Sequence, residues 1–316
     1  MYLCVGEAVI DMFLHDNVFK PLPGGCSYNT SIAIARLNSK ATFFGRLSKN
    51  FFGDIQVKRL QENNVNVDLL IRSNENPILV FIKTEKDGQP QYAFYDEGTV
   101  DRLLSVEELP SVPSEIKCII FGSVSMTMEP IATAIETLIQ KEAAKKTVIS
   151  FDPNIRPYFI KDRDFYIERF KKWASFCTIA KISSEDFEYI FPGLKPEEAL
   201  EKMLELGTHL AIITLGHEGS MAMLRCENGS VIKAFAPGIQ IPKIADTVGA
   251  GDTFHGAFLA RLEQIGKMSH NAIVNLNEAD LHDALCYANK AAAFVCTRYG
   301  AEPPTIKEMN EDIKKI

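Results

Sequence analysis

Between Asp246 and His255 the chain reads Asp246-Thr247-Val248-Gly249-Ala250-Gly251-Asp252-Thr253-Phe254-His255, a glycine turn, a carboxylate and the start of an apolar helix. Gly249 and Gly251 allow backbone angles closed to other residues, so with Ala250 between them consecutive N–H groups can converge on an anion. A helix beginning near Asp252 aims the positive end of its dipole at the same spot. Such a turn can hold a phosphate, and the carboxylate beside it has two readings. Asp252 either caps its own first helical turn or acts as a general base facing a substrate hydroxyl next to the phosphate. The helix dipole should keep it ionised near pH 7.

Other segments could complete such a site. Gly24-Gly25 precedes Cys26-Ser27-Tyr28-Asn29 and a helix rich in small residues. Close backbone approach at the glycines plus the Asn29 amide would suit a neutral polyol, which needs paired donors and acceptors; the plain alternative is a loop with Ser27 as helix cap. Asp11 lies just past the first strand, at the end where open α/β sheets place ligands. Thr214-Leu215-Gly216-His217-Glu218-Gly219 follows a strand; its glycines could let a nucleotide pack closely, though taken alone it is merely a turn at a strand end. A P-loop and a G-x-G-x-x-G fingerprint are both missing, so any nucleotide phosphates must sit elsewhere, with residues 249–252 as the best place. The six histidines show no metal-ligand spacing.

The elements that must carry these residues are short apolar runs alternating with longer amphipathic ones. Leu3 to Val9 is followed by Tyr28 to Leu37, Lys117 to Gly122 by Ile131 to Glu142, Thr147 to Asp152 by Phe165 to Ala174, Phe176 to Ile182 by Glu197 to Leu206, and then comes Leu210 to Leu215. This rhythm predicts a doubly wound α/β sandwich with a mostly parallel sheet. Residues 76–97 break it with two strand-like runs around Lys86-Asp87-Gly88-Gln89, a hairpin signal. They form either an edge of the central sheet or, with the extended stretch Met12 to Pro23, a small lid. Gly219 to Leu224, the turn Glu227-Asn228-Gly229 and Val231 to Ala236 predict a second hairpin at the sheet edge. Long helices are expected over Gly251 to Ile265 and Ala279 to Arg298.

With 316 residues, 46% of them apolar, the chain can build one large domain. A net charge of −7 offers no electrostatic footprint for nucleic acid or an anionic membrane surface. Seven scattered cysteines without a C-x-x-C pair suggest reduced thiols in a cytoplasm. No leader is evident, and no uncharged run approaches the roughly 20 residues needed to cross a bilayer.

Together these segments resemble the PfkB (ribokinase-like) carbohydrate kinase family, with similarity running from Gly6 to about Thr305. Asp246 to Phe254 resembles its C-terminal signature. Gly24-Gly25-x-x-x-Asn29 and Gly45 to Asp54 resemble its N-terminal one. Within the family the chain is most similar to fructokinases, through Gly6 to Asp11, Phe121 to Ser125 and Ser150 to Pro157. The resemblance implies a ribokinase-like fold over residues 1–316, with lid strands from 12–23 and 76–98.

The resemblance also implies an ATP-dependent sugar kinase in which Asp252 is the base and the N–H groups of Gly249, Ala250, Gly251 and Asp252 are the anion hole. Asp11, Gly24, Gly25 and Asn29 match sugar-binding positions, with Arg156 a further contact. Thr214, Gly216 and Gly219 match the nucleotide loop, and Asn289 a position near the adenine. Asp246, Val248, Val295 and Gly300 match a monovalent-cation loop, suited to K⁺. The family's N-x-x-E element, linked to Mg²⁺, stands here as Ser183-Ser184-Glu185-Asp186, where Asp186 is shorter than the usual Glu and Glu185 could substitute. Asp96 replaces an arginine frequent in the lid of fructokinases. The implied reaction is phosphorylation of D-fructose to fructose 6-phosphate in the cytoplasm, by a homodimer joined through the lid. A 2-keto-3-deoxygluconate kinase or another PfkB sugar kinase is the alternative; a sugar sensor without catalysis would have no need of the base.

Overall fold

A computed structural model describes residues 1–84 and 90–311. The chain opens with β1 (Tyr2–Val5), β2 (Val9–His15), β3 (Val18–Gly24) and α1 (Cys26–Arg36). There follow β4 (Ala41–Phe44), β5 (Arg46–Ser48), α2 (Phe51–Glu62), β6 (Ile71–Ser73), β7 (Leu79–Thr84) and β8 (Pro90–Tyr95). The middle third holds β9 (Cys118–Gly122), α3 (Ile131–Ala143), β10 (Val148–Asp152), α4 (Arg163–Ser175), β11 (Ile179–Ser183), α5 (Ser184–Ile190), α6 (Pro196–Glu205) and β12 (Leu210–Thr214). The last third adds β13 (Gly219–Arg225), β14 (Val231–Pro237), α7 (Ala250–Gln264), α8 (His270–Ile273) and α9 (Glu278–Val295).

The main sheet runs β14-β13-β12-β11-β10-β9-β1-β4, parallel from β12 to β4. Crossover helices cover both faces, which is why β1, β4, β9 and β10 are buried along their whole length. Successive side chains feed two apolar layers. In β1, Tyr2 and Cys4 join Ile32, Phe254, Phe258 and Phe294 of α1, α7 and α9, while Leu3 and Val5 join Ile135, Phe170 and Trp173 of α3 and α4. The predicted edge hairpin forms as β13 and β14, antiparallel from Gly219↔Pro237 to Arg225↔Val231. Among the described residues no helix is long and apolar enough to cross a membrane.

A separate four-stranded sheet, β3-β2-β7-β8, stands off the main one. Its two central strands, β2 and β7, are parallel, with Asp11 beside Val80. This corrects two expectations. The apolar run Leu3 to Val9 is no single strand: β1 ends at Val5, and Val9 already opens the second sheet. The break has a physical cause, because Glu7-Ala8 leaves the ladder to bond side chains, Glu7 N–H donating to Ser125 Oγ at 2.9 Å and Ala8 N–H to Asp101 Oδ1 at 3.0 Å. The stretch 12–23 is likewise a hairpin and not one extended piece, turning at Asp16-Asn17, both at positive φ. Residues 76–97 belong to this second sheet and not to the edge of the main one. The turn expected at Lys86-Asp87-Gly88-Gln89 lies outside the described residues. Strand β4 and helix α2 carried no periodicity long enough to read.

Candidate active site

The order of the sheet reverses between β1 and β9, so strand ends diverge there and leave a cleft at the carboxyl edge. Helix α7 enters this cleft. Its cap, Gly249, has φ 76°, and a Cβ there would stand 2.5 Å from the Ala301 Cβ, so only glycine fits. Asp246 fixes the approach: its carboxylate accepts from Val248 N–H at 3.1 Å and Gly300 N–H at 2.9 Å, stitching the turn to the loop after α9. Ala250 N–H is engaged by Thr247 O at 3.2 Å. The N–H groups of Gly251 and Asp252 have no partner among the described residues, as expected in a first turn, and could receive an anion.

Asp252 does not cap its helix. Its carboxylate is buried and accepts a 2.9 Å hydrogen bond from Asn29 Nδ2, a residue 223 positions away on α1. Burial pushes its pKa up to about 6, with Asp152 adding to the rise and the Asn29 bond, Lys181 and Cys26 opposing it. The dipole therefore does not dominate, as the helix start alone had suggested. The carboxylate is still mostly ionised at pH 7 but is a better base than a solvated aspartate. Asn29 Oδ1 is buried without a hydrogen-bond partner, an acceptor left open beside the base.

Gly25 caps α1 at φ 116°, where a Cβ would meet Glu7 O at 2.7 Å; the backbone must pass this close to bring Asn29 to Asp252. Asp11 sits on β2 against Gly24, whose added Cβ would touch Asp11 Oδ2 at 2.5 Å. Burial raises the Asp11 carboxyl to about 7, Arg156 opposes that, and Asp252 and Asp246 reinforce it. Arg156 is exposed and donates to Asn154 O and Ile155 O. Asp11, Gly24, Val248 and Gly300 line one cleft.

The positions expected to form the nucleotide loop share one strand end. Thr214 ends β12 opposite Ser220, and Gly216 and Gly219 bracket a single tight turn before β13. Asn289 spends its amide on the scaffold, donating to Ala236 O at 3.0 Å and Pro237 O at 3.2 Å and locking α9 to β14. Asp186 is spent too. Its carboxylate accepts from Ser183 N–H at 2.9 Å in a capping box and from Ile155 N–H at 2.7 Å, while neighbouring Glu185 accepts from Ser184 Oγ at 3.2 Å. The Asp246 oxygens are occupied, so a cation between residues 246–248 and 295–300 would meet carbonyls only.

The structure also brings in residues that sequence reasoning missed. Lys181, buried in β11, pairs its Nζ with Asp152 Oδ2 at 3.0 Å, and a Cβ on Gly251 would lie 3.0 Å from that Nζ. A fixed positive charge thus underlies the glycine turn, its pKa raised by the paired carboxylate. Ligand atoms of Cys26, Asp152 and Asp252 lie within 4.8 Å of one another, but the Lys181 ammonium already pairs with Asp152, which leaves a dication a poor fit there. His255 stacks below as a neutral imidazole, its pKa lowered to about 3 by burial and Lys181, with Nε2 2.7 Å from Ser150 Oγ. One signal could have found Lys181: a lysine inside the apolar strand run Ile179-Ala180-Lys181-Ile182.

A helix N-terminus with open N–H groups, a buried base opposite an unpaired amide oxygen, and a second sheet over the same cleft define a phosphotransferase that acts on a small hydroxylated molecule. Residues 3–308 match the family described as pfkB family carbohydrate kinase, and the chain belongs to it. It is 35% identical over 290 residues to a fructokinase of Rhizobium leguminosarum bv. trifolii, covering 90% of this chain and 86% of that one. It is 30% identical over 288 residues to a probable fructokinase-5 of Arabidopsis thaliana, covering 90% and 85%. Among solved structures, a fructokinase from Xylella fastidiosa with bound ATP superposes at a TM-score of 0.88 with 25% identity, covering 98% of this chain and 96% of that one.

Proposed function

We propose that the protein is an ATP-dependent fructokinase that converts D-fructose to fructose 6-phosphate. The observation that carries this reading is the buried Asp252 carboxylate, held by Asn29 and flanked by the open N–H groups of Gly251 and Asp252. Asp11, Gly25 and Asn29 hold the sugar; Thr214, Gly216 and Gly219 receive the nucleotide, with Asn289 bracing the wall behind it.

Phosphoryl transfer asks for alignment and charge neutralisation more than covalent work. The α7 N-terminus and the Lys181 ammonium beneath it supply the charge. As the acceptor oxygen bonds to phosphorus its proton passes to Asp252, whose pKa near 6 makes the transfer late. Mg²⁺, when bound, would screen the nucleotide phosphates, with Glu185 the carboxylate that would help hold it; K⁺ would take carbonyls of Asp246, Val248, Val295 and Gly300. The lid excludes water from the cleft.

A sugar acid would want a pair of free cations. Arg156 is partly engaged by carbonyls, and one terminal nitrogen of Arg59, which lines the Asp11 cleft, is held by Glu302 and Ala301 O. This favours a neutral ketose. Aromatic side chains on the outer lid, Phe19, Phe81 and Tyr95 in edge contact at 4.9 and 5.3 Å, support a homodimer joined there. The seven free thiols suit a reducing cytoplasm.

ADP release measured across fructose, ribose, 2-keto-3-deoxygluconate, adenosine and fructose 1-phosphate tests the assignment. Fructose should give the highest kcat/KM. Turnover with another member and none with fructose would overturn it.

A further inference from the structure

One buried carboxylate holds the two points where the chain crosses into the lid. Asp101 lies on the single turn Val100–Leu103 that follows β8, and it is buried. Its Oδ1 accepts from Ala8 N–H at 3.0 Å and its Oδ2 from Ile78 N–H at 3.3 Å. Ala8 is the last residue before β2, and Ile78 the last before β7; these are the parallel central strands of the lid. The turn is itself tied to the second crossing, Val100 N–H donating to Asn76 O at 2.9 Å. From the opposite side Gln56 of α2, fully buried, donates to Ala8 O at 2.8 Å and Val9 O at 3.2 Å. Ala8 therefore has its N–H and its C=O fixed by side chains of two different elements. Asp11 stands three residues further along the same strand.

We infer that Asp101 is a positioning residue for the sugar site: by pinning Ala8 and Ile78 it sets the lid root, and through β2 it sets where Asp11 stands relative to Asp252. The inference rests on the sugar-binding role proposed for Asp11. A buried N–H without its acceptor is costly, so an Asp101→Asn side chain, which presents one oxygen and one N–H donor to two backbone N–H groups, leaves one crossing unpaired and its strand free to shift.

Steady-state kinetics of Asp101→Asn should show the KM for fructose raised about tenfold, the KM for ATP within about twofold of wild type, and more ADP released without sugar phosphate. Hydrogen exchange should show faster amides in β2 and β7 with β9 and β10 unchanged. An unchanged fructose KM, or a parallel rise in both KM values with uniformly faster exchange, would overturn the inference and leave Asp101 a general stabiliser. Should the variant fail to fold, wild-type exchange decides the matter. Ala8 and Ile78 amides should be the slowest of the lid, and exchange there as fast as in exposed loops would overturn it. Exchange needs no substrate, so an error in the fructokinase reading shows instead as wild-type enzyme without turnover on fructose.

Discussion

In the proposed mechanism Asp252 is the base because two demands meet on it: burial for basicity and an amide neighbour for aim. Asp252→Asn keeps the shape and removes the base, so kcat should fall at least about 10²-fold while the KM for ATP stays near wild type, as steady-state assays will show. The ionised form is the active one. The pH profile of kcat/KM, which reports the free enzyme, should therefore fall on the acid side with the Asp252 carboxyl contributing an apparent pKa of about 6. Stability follows the opposite sense. The folded-state pKa lies above that of an unfolded aspartate, so folding takes up a proton between about 4 and 6, and the contribution of this group declines as pH rises through that window. Asp252→Asn should accordingly melt no lower than wild type at pH 8, with the difference shrinking by pH 5. A melt clearly lower at pH 8 would show that the ionised carboxylate is stabilising.

At the scale of elements, α7 and β11 cooperate. The helix offers N–H groups that its own first turn cannot satisfy, and the strand places Lys181 beneath them. Lys181→Met should lose at least about tenfold in kcat, and because it strands Asp152 as a buried unpaired charge it should also cost about 3–5 kcal/mol in denaturant melts. Adding Asp152→Leu removes the stranded charge. The double variant should regain stability without regaining turnover, which separates catalysis from folding. Gly249→Ala would put a methyl group against Ala301 at a left-handed φ, and a loss of about 1–3 kcal/mol with a raised KM for ATP is expected.

For the whole molecule, the main sheet is a rigid platform with two apolar layers, and the second sheet hangs from it by a few pinned crossings. The outer face of that sheet leaves Tyr95 63% and Phe19 41% exposed, costly surface for a chain that works alone. Light scattering at micromolar concentration should give twice the chain mass, and Tyr95→Glu should shift it toward the monomer. A monomeric wild type would remove the dimer.

The sequence by itself determined what is local. Glycine spacing at 249 and 251 demanded a turn into a helix, apolar β-branched runs demanded buried parallel strands, and Asn228-Gly229 demanded an edge hairpin, because backbone angles and burial periodicity are written in neighbouring residues. It also held Asp11, Asn29 and Asp252 as separate candidates. Only the tertiary structure decided that the Asn29 amide meets Asp252, that Asp186 and Asn289 serve the scaffold, and that Lys181 charges the turn from below. Those outcomes depend on which distant strand ends face one another and on how deeply each group is buried, and neither follows from spacing along the chain.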